Sequence, residues 1–195
     1  MGCFSPKEVI FLSDLLPFVK RFVSKPTQVG SIIPSSKYLC RHMMRQIPWD
    51  KTQTIVELGP GTGVFTKEIL RRKARKTRFF VVERDPTFQN MLRNRFPGLM
   101  IRNEAVQLPL YMRELGLQQV DAIVSGLPFA VLPDEKREQI LDRIVDSLAD
   151  DGVFVTFQYS LQLKDELEKR FERVEITFTM LNLPPAFIYT CYKHR

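Results

Sequence analysis

Thr54-Ile-Val-Glu57-Leu-Gly59-Pro-Gly61-Thr-Gly63-Val-Phe-Thr66 joins a buried-strand pattern to a glycine turn that an ordinary connection does not require. Ile55, Val56 and Leu58 read as a short parallel strand covered on both faces. Gly59, Gly61 and Gly63 then permit positive φ and close approach of a ligand to bare backbone, before a helix opens between Thr62 and Thr66. The pattern implies a nucleotide-like cofactor; a tight strand-to-helix turn without a ligand is the alternative. Glu57 narrows the chemistry. An acid beside the turn repels a pyrophosphate but suits a cofactor that carries an amino-acid group and a cationic sulfonium.

Downstream, Phe79-Phe-Val-Val-Glu83-Arg84-Asp85 ends a second strand in an acid. It falls about 20 residues past the last glycine, where a carboxylate accepts the ribose hydroxyls of an adenosine cofactor. Asp85-Pro86 reads instead as a helix cap followed by a first-turn proline. Further apolar runs at Leu99–Ile101, Val120–Val124 and Val153–Phe157 alternate with helical stripes such as Ile140, Leu141, Ile144, Val145 and Leu148. That rhythm predicts a mostly parallel sheet with helices on both faces. Val174–Leu181 and Ala186–Tyr192 are joined by Asn182-Leu-Pro-Pro185, too short a link for a helical crossover, so they form an antiparallel hairpin at the sheet edge. The fold class is α/β, with seven strands, one of them reversed.

A chain of 195 residues suffices for one such domain. Residues 1–48 read as an amino-terminal helical segment and 49–195 as the cofactor-binding α/β domain. Ser5-Pro6-Lys7-Glu8 is a capping box, and Phe18, Val19, Phe22 and Val23 stand beside Lys20, Arg21 and Lys25. Such a segment either lies in an anionic membrane interface or packs over the site as a lid. Net charge is +7, and residues 1–45 are markedly basic, which points to an anionic partner, nucleic acid or membrane. Arg71, Arg72, Lys73, Arg75, Lys76 and Arg78 form either a solvated helix end or a binding patch. No apolar run approaches the roughly 20 residues of a membrane span. Cys3, Cys40 and Cys191 lack metal-site spacing, and His42 and His194 form no ligand pair, so no metal is expected. The expected location is the cytoplasm, peripheral at the inner membrane surface, with no obligate protein partner.

Glu57-Leu-Gly-Pro-Gly-Thr-Gly63 resembles the first motif of class I S-adenosylmethionine-dependent methyltransferases. Asn103-Glu104-Ala105 stands where that family often has Gly-Asp-Ala, so the resemblance implies that Glu104, beside Ala105, accepts the adenine amino group. Ser125-Gly-Leu-Pro-Phe129 then separates two subfamilies. Amino-methylating nucleic-acid enzymes, including rRNA adenine dimethyltransferases, carry a motif like Asn-Leu-Pro-Tyr, and Gly126 replaces its asparagine here. A flipped adenine loses a directional contact at that position. The motif, with Pro26–Ser36, Phe157-Gln-Tyr159 and Asn182–Ala186 in the same order, is similar to the bacterial soluble phosphatidylethanolamine N-methyltransferases.

The implied cofactor is S-adenosylmethionine, held by Gly30, Ser31, Glu57, Gly59, Gly61, Gly63, Glu83, Arg84, Glu104, Ala105 and Ser125. Gly126, Leu127, Phe129 and Tyr159 are the expected acceptor-side residues. Backbone carbonyls at Gly126 and Leu127, the Tyr159 hydroxyl or a water are the candidates to take the amine proton, and Phe129, Tyr159 and Tyr189 offer aromatic faces to a methylated cation. The leading function is N-methylation of a phospholipid amine. The alternatives are an rRNA adenine N6-methyltransferase and a cofactor-binding adaptor without catalysis.

Overall fold

The first strand of the sheet, β1 (Thr54–Leu58), is buried along its whole length and lies inside the sheet with a strand on either side. The structure, a computed structural model, describes residues 34–180 and 185–193. Residues 1–33 of the amino-terminal segment, with Gly30, Ser31 and the capping box at Ser5, lie outside the described residues, as does most of the Asn182–Pro185 link.

From β1 the chain continues through α2 (Val64–Arg72), β2 (Arg78–Val82), α3 (Pro86–Arg95), β3 (Met100–Arg102) and α4 (Leu108–Glu114). It then runs through β4 (Val120–Ser125), α5 (Asp134–Ser147), β5 (Leu148–Gln158), the short α6 (Lys164–Glu168), β6 (Arg173–Thr179) and β7 (Ala186–Tyr192). A helix before the sheet, α1 (Pro34–Arg45), opens the described part of the chain. The strand order is β3-β2-β1-β4-β5-β7-β6, and only β7 runs against its neighbours. This is the expected α/β sheet with its terminal hairpin.

Strand alternation divides the core in two. Val56, Leu58, Phe80 and Val82 face Leu108, Met112, Ile140 and Ile144 of α4 and α5, whereas Ile55, Val124 and Val155 face Leu39 and Met43 of α1 and Phe65 and Ile69 of α2. Glu57 shares the parity of Ile55 and is therefore driven into the second layer among apolar side chains. Asp85 caps α3 as its sequence predicts, accepting from the Thr87 and Phe88 N–H groups with Pro86 in the first turn. At the opposite edge of the sheet, Asp121 accepts from the Gln53 and Thr54 N–H groups, each at 2.8 Å, and fixes the start of β1.

Candidate active site

Parallel strands end together, so the turns after β1, β2, β3 and β4 meet along one edge of the sheet. The ladder extends past the strands themselves. Gly59 N–H donates to the Val82 carbonyl and Gly126 N–H to the Leu58 carbonyl, both at 2.8 Å. Gly59, Gly61 and Gly63 all have positive φ, the conformation that their spacing requires. Gly59 and Gly126 also admit close approach: a Cβ on Gly59 would stand 2.7 Å from Leu127 Cδ2, and one on Gly126 would stand 2.7 Å from the Gly59 carbonyl oxygen.

Glu83 holds this turn in place. One carboxyl oxygen accepts from Gly61 N–H at 2.9 Å and the other from Asp85 N–H at 2.9 Å. Burial pushes its carboxyl above the ordinary range, and those two N–H groups partly offset the shift. Each oxygen retains acceptor capacity for a hydroxyl. Gln89 supports the same corner, its amide donating to the Glu83 carbonyl and to Asn103 Oδ1.

Glu57 is fully buried. Thr66 Oγ1 donates to one of its oxygens at 2.7 Å, and the other is buried with no hydrogen-bond partner among the described residues. Burial raises its carboxyl to about 8, with the nearby Glu83 carboxylate adding to the shift and Thr66 opposing it. An unpaired buried acceptor of this kind is the mark of a site built for a donor. A cationic amino group is the fitting one, since it would satisfy the oxygen and favour the ionised form. The residues present therefore suit a cofactor with an amino-acid end at Glu57 and a ribose at Glu83.

The segment from residue 55 to residue 152 matches the family model described as a methyltransferase domain. The chain belongs to the S-adenosylmethionine-dependent methyltransferases. This methyltransferase is 34% identical over 185 residues to the ornithine lipid N-methyltransferase of Singulisphaera acidiphila, covering 92% of this chain and 96% of that protein. It is 26% identical over 104 residues to ribosomal RNA small subunit methyltransferase A of Chlorobium phaeobacteroides, a match covering 53% of this chain and 37% of that protein. Among solved structures it resembles the N-methyltransferase NodS of Bradyrhizobium japonicum in complex with S-adenosyl-L-homocysteine. The TM-score is 0.70 at 14% identity, over 88% of this chain and 93% of that one, which speaks to the fold.

The remaining residues expected in the site of the methyltransferase fall into two groups. Glu104 lies after β3, beside the buried Ala105, but its two oxygens are engaged by Arg84 and Lys136, each at 3.2 Å. Arg84 is largely exposed and reaches the site through this ion pair. The Glu104 N–H donates to the Tyr111 hydroxyl, which in turn donates to Gln107. Ser125 is fully buried, and its hydroxyl accepts from Leu127 N–H at 3.1 Å, so it shapes the loop from within.

Phe129 differs from expectation. Its ring is fully buried, edge-on to Phe154 with centroids 6.4 Å apart, so it belongs to the core and offers no open face to an acceptor. The following 3₁₀ turn, Phe129–Val131, folds the ring inward. Tyr189 is likewise buried, its hydroxyl donating to the Ser160 carbonyl. Tyr159 is half-buried and packs edge-on against Phe157 at 5.7 Å. It remains the aromatic at this edge of the sheet that the sequence points to.

One organising residue escapes the sequence reading. Gln158 donates to the Leu127 carbonyl at 3.0 Å and accepts from Ala130 N–H at 3.4 Å, tying the end of β5 to the loop after β4. The signal was a lone amide between two aromatics at a strand end, which a solvent-facing residue would equally produce.

Proposed function

We propose that this methyltransferase methylates the primary amine of a membrane lipid at the membrane surface, with the phosphatidylethanolamine head group as the first acceptor to test. The observation that carries the reading is the likeness, over nearly the full length of both chains, to an ornithine lipid N-methyltransferase. Ornithine also bears a terminal primary amine, so both acceptors present the same nucleophile on an acyl-chain anchor. Gly126 argues against adenine. Its contact with the Gly59 carbonyl leaves no room for the side-chain amide that would hold a flipped base.

Bound at the glycine turn, S-adenosylmethionine supplies an electrophilic methyl group on a sulfonium. The amine must first lose a proton and then present its lone pair in line with the sulfur–carbon bond, so that a nitrogen–carbon bond forms as that bond breaks. The backbone carbonyls of Gly126 and Leu127 orient the ammonium as acceptors. Gln158 and the Phe129 N–H, each 3.0 Å from the Leu127 carbonyl, fix its position, so the ammonium would share that oxygen with them. Removal from water lowers the amine pKa, and the proton leaves to solvent past these carbonyls or the Tyr159 hydroxyl. Tyr159 then offers its ring to the methylated cation.

Radiolabelled S-adenosylmethionine, incubated in parallel with phosphatidylethanolamine vesicles, ornithine lipid vesicles and unmodified ribosomal RNA, tests the reading. Label is expected in a lipid. Label confined to RNA overturns the proposal and favours the reading carried by the partial likeness to the ribosomal RNA enzyme.

A further inference from the structure

A lipid acceptor brings acyl chains that cannot enter the crevice with its amine. They call for an apolar surface on the sheet edge that carries the site, and strand register places one there. Ser125 pairs with Thr156 near the ends of the parallel strands β4 and β5; Gln158 pairs with Phe187, and Phe187 with Phe178. The connected end of the β6–β7 hairpin therefore lies on the same edge as the glycine turn.

That end is apolar and faces water. The Phe178 and Phe187 rings stand 5.0 Å apart, Phe178 is 51% exposed, and Met180 just past β6 is 77% exposed. Leu161, three residues beyond the end of β5, adds another exposed apolar side chain. Val174 and Ile176, on the same face of β6, pack against the core, so Phe178 carries their row past its cover. The sequence has no charged residue between Glu175 and Lys193, although 26% of the chain is charged. Edge strands facing water ordinarily carry charges that block association. A bilayer would have none to desolvate here, and the net charge of +7 complements an anionic membrane.

We propose that Phe178, Met180 and Phe187, with Leu161, dock into the acyl-chain boundary of an anionic bilayer and so set the methyl-transfer crevice against the lipid head groups. This rests on the amino-lipid reading above. The docking surface uses residues other than the basic amino-terminal segment, to which the sequence assigns either a membrane-interface or a lid role. The two aromatic rings and the flexible methionine suit shallow insertion.

The test uses the full chain with sedimentable vesicles of phosphatidylglycerol and phosphatidylethanolamine in equal parts. The double variant Phe178→Ser/Met180→Ser is compared with Leu70→Ser/Met100→Ser, which removes exposed apolar side chains from a hollow of about 580 Å³ at the other edge of the sheet. The hairpin variant is expected to partition about tenfold more weakly and the control less than about twofold, from the apolar area each takes out of the bilayer. Both should bind S-adenosylhomocysteine as the parent does. Equal partitioning of the hairpin variant and the parent overturns the proposal, as does a dimer that the variant dissociates without loss of vesicle binding.

Met180→Trp supplies a reading that tolerates a weakened fold. Brominated acyl chains should quench its fluorescence above that of the single native Trp49, and absence of quenching overturns the docking. The two readings fail separately. Vesicle docking without any lipid methylation sinks the amino-lipid function, whereas methylation of a short-chain, monomeric phosphatidylethanolamine by a protein whose hairpin variant docks normally sinks the docking surface alone.

Discussion

Gly126 and Gly59 meet backbone to backbone, with 2.7 Å between the carbonyl oxygen of Gly59 and the place a Cβ on Gly126 would take. The loop after β4, to which we assign the acceptor, and the glycine turn, to which we assign the methyl donor, are thus in direct contact. Gly126→Ala should displace the turn, at an overpacking cost of about 1–3 kcal/mol, and weaken S-adenosylhomocysteine binding by roughly tenfold or more. Titration calorimetry reads this directly. Gly126→Asn should do the same and confer no methylation of RNA.

Glu83 braces Gly61 and Asp85 through its two oxygens. In Glu83→Gln the new amide group faces one of those N–H donors, so one bond is lost and a repulsion replaces it. Loss of a charged hydrogen bond of about 1.5–3 kcal/mol predicts adenosine-cofactor binding about 10- to 100-fold weaker. Circular dichroism should report an unchanged fold.

Glu57 makes stability depend on pH. Its carboxyl titrates near 8 in the folded protein against 4.5 for the free group. Between those values the unfolded chain has released a proton that the folded chain keeps, so stability falls as pH rises from 4.5 to about 8 and levels off above. Urea midpoints measured across that window should decline. Glu57→Gln should remove that part of the slope, and saturating S-adenosylhomocysteine should flatten it, because an amino group beside the orphaned oxygen favours the ionised carboxyl.

Gln158 links two segments that the chemistry keeps apart. Gln158→Ala removes one of two donors to the partly buried Leu127 carbonyl, which keeps the Phe129 N–H, and frees the loop from β5, at a cost of about 0.5–1.5 kcal/mol in stability. Because no bond of Gln158 reaches the glycine turn, cofactor affinity should stay within about twofold while kcat falls by about tenfold. A fall in cofactor affinity as large as that in kcat would contradict a role confined to the acceptor loop.

The cofactor half of the site was legible because its signals are backbone signals. Glycine spacing, a strand's apolar run and an acid at a strand end survive any packing arrangement, and Gly59, Glu83 and the Asp85 cap stand where their spacing places them. The acceptor half depends on which way side chains turn. Phe129 shows the limit: an aromatic after a strand at the catalytic edge reads as a stacking platform, yet one 3₁₀ turn sends it into the core against Phe154. Ser125 and Gln158 are polar residues whose partners are set by tertiary approach, which sequence alone does not encode locally. Glu104 sits where the family motif implies, but its pairing with Lys136 spans 32 positions and depends on how α5 packs.

The hydrogen bonds from Gly59 to Val82 and from Gly126 to Leu58 make the two binding loops consecutive rungs of one sheet. Neighbouring strands are held roughly 4.8 Å apart by their backbone amides, whatever side chains they carry. The offset between donor and acceptor is therefore a lattice constant of the sheet, and side-chain fit plays no part in setting it. A new acceptor can be accommodated by rebuilding the loop after β4 and the β6–β7 end, with the methyl donor's position left as it is.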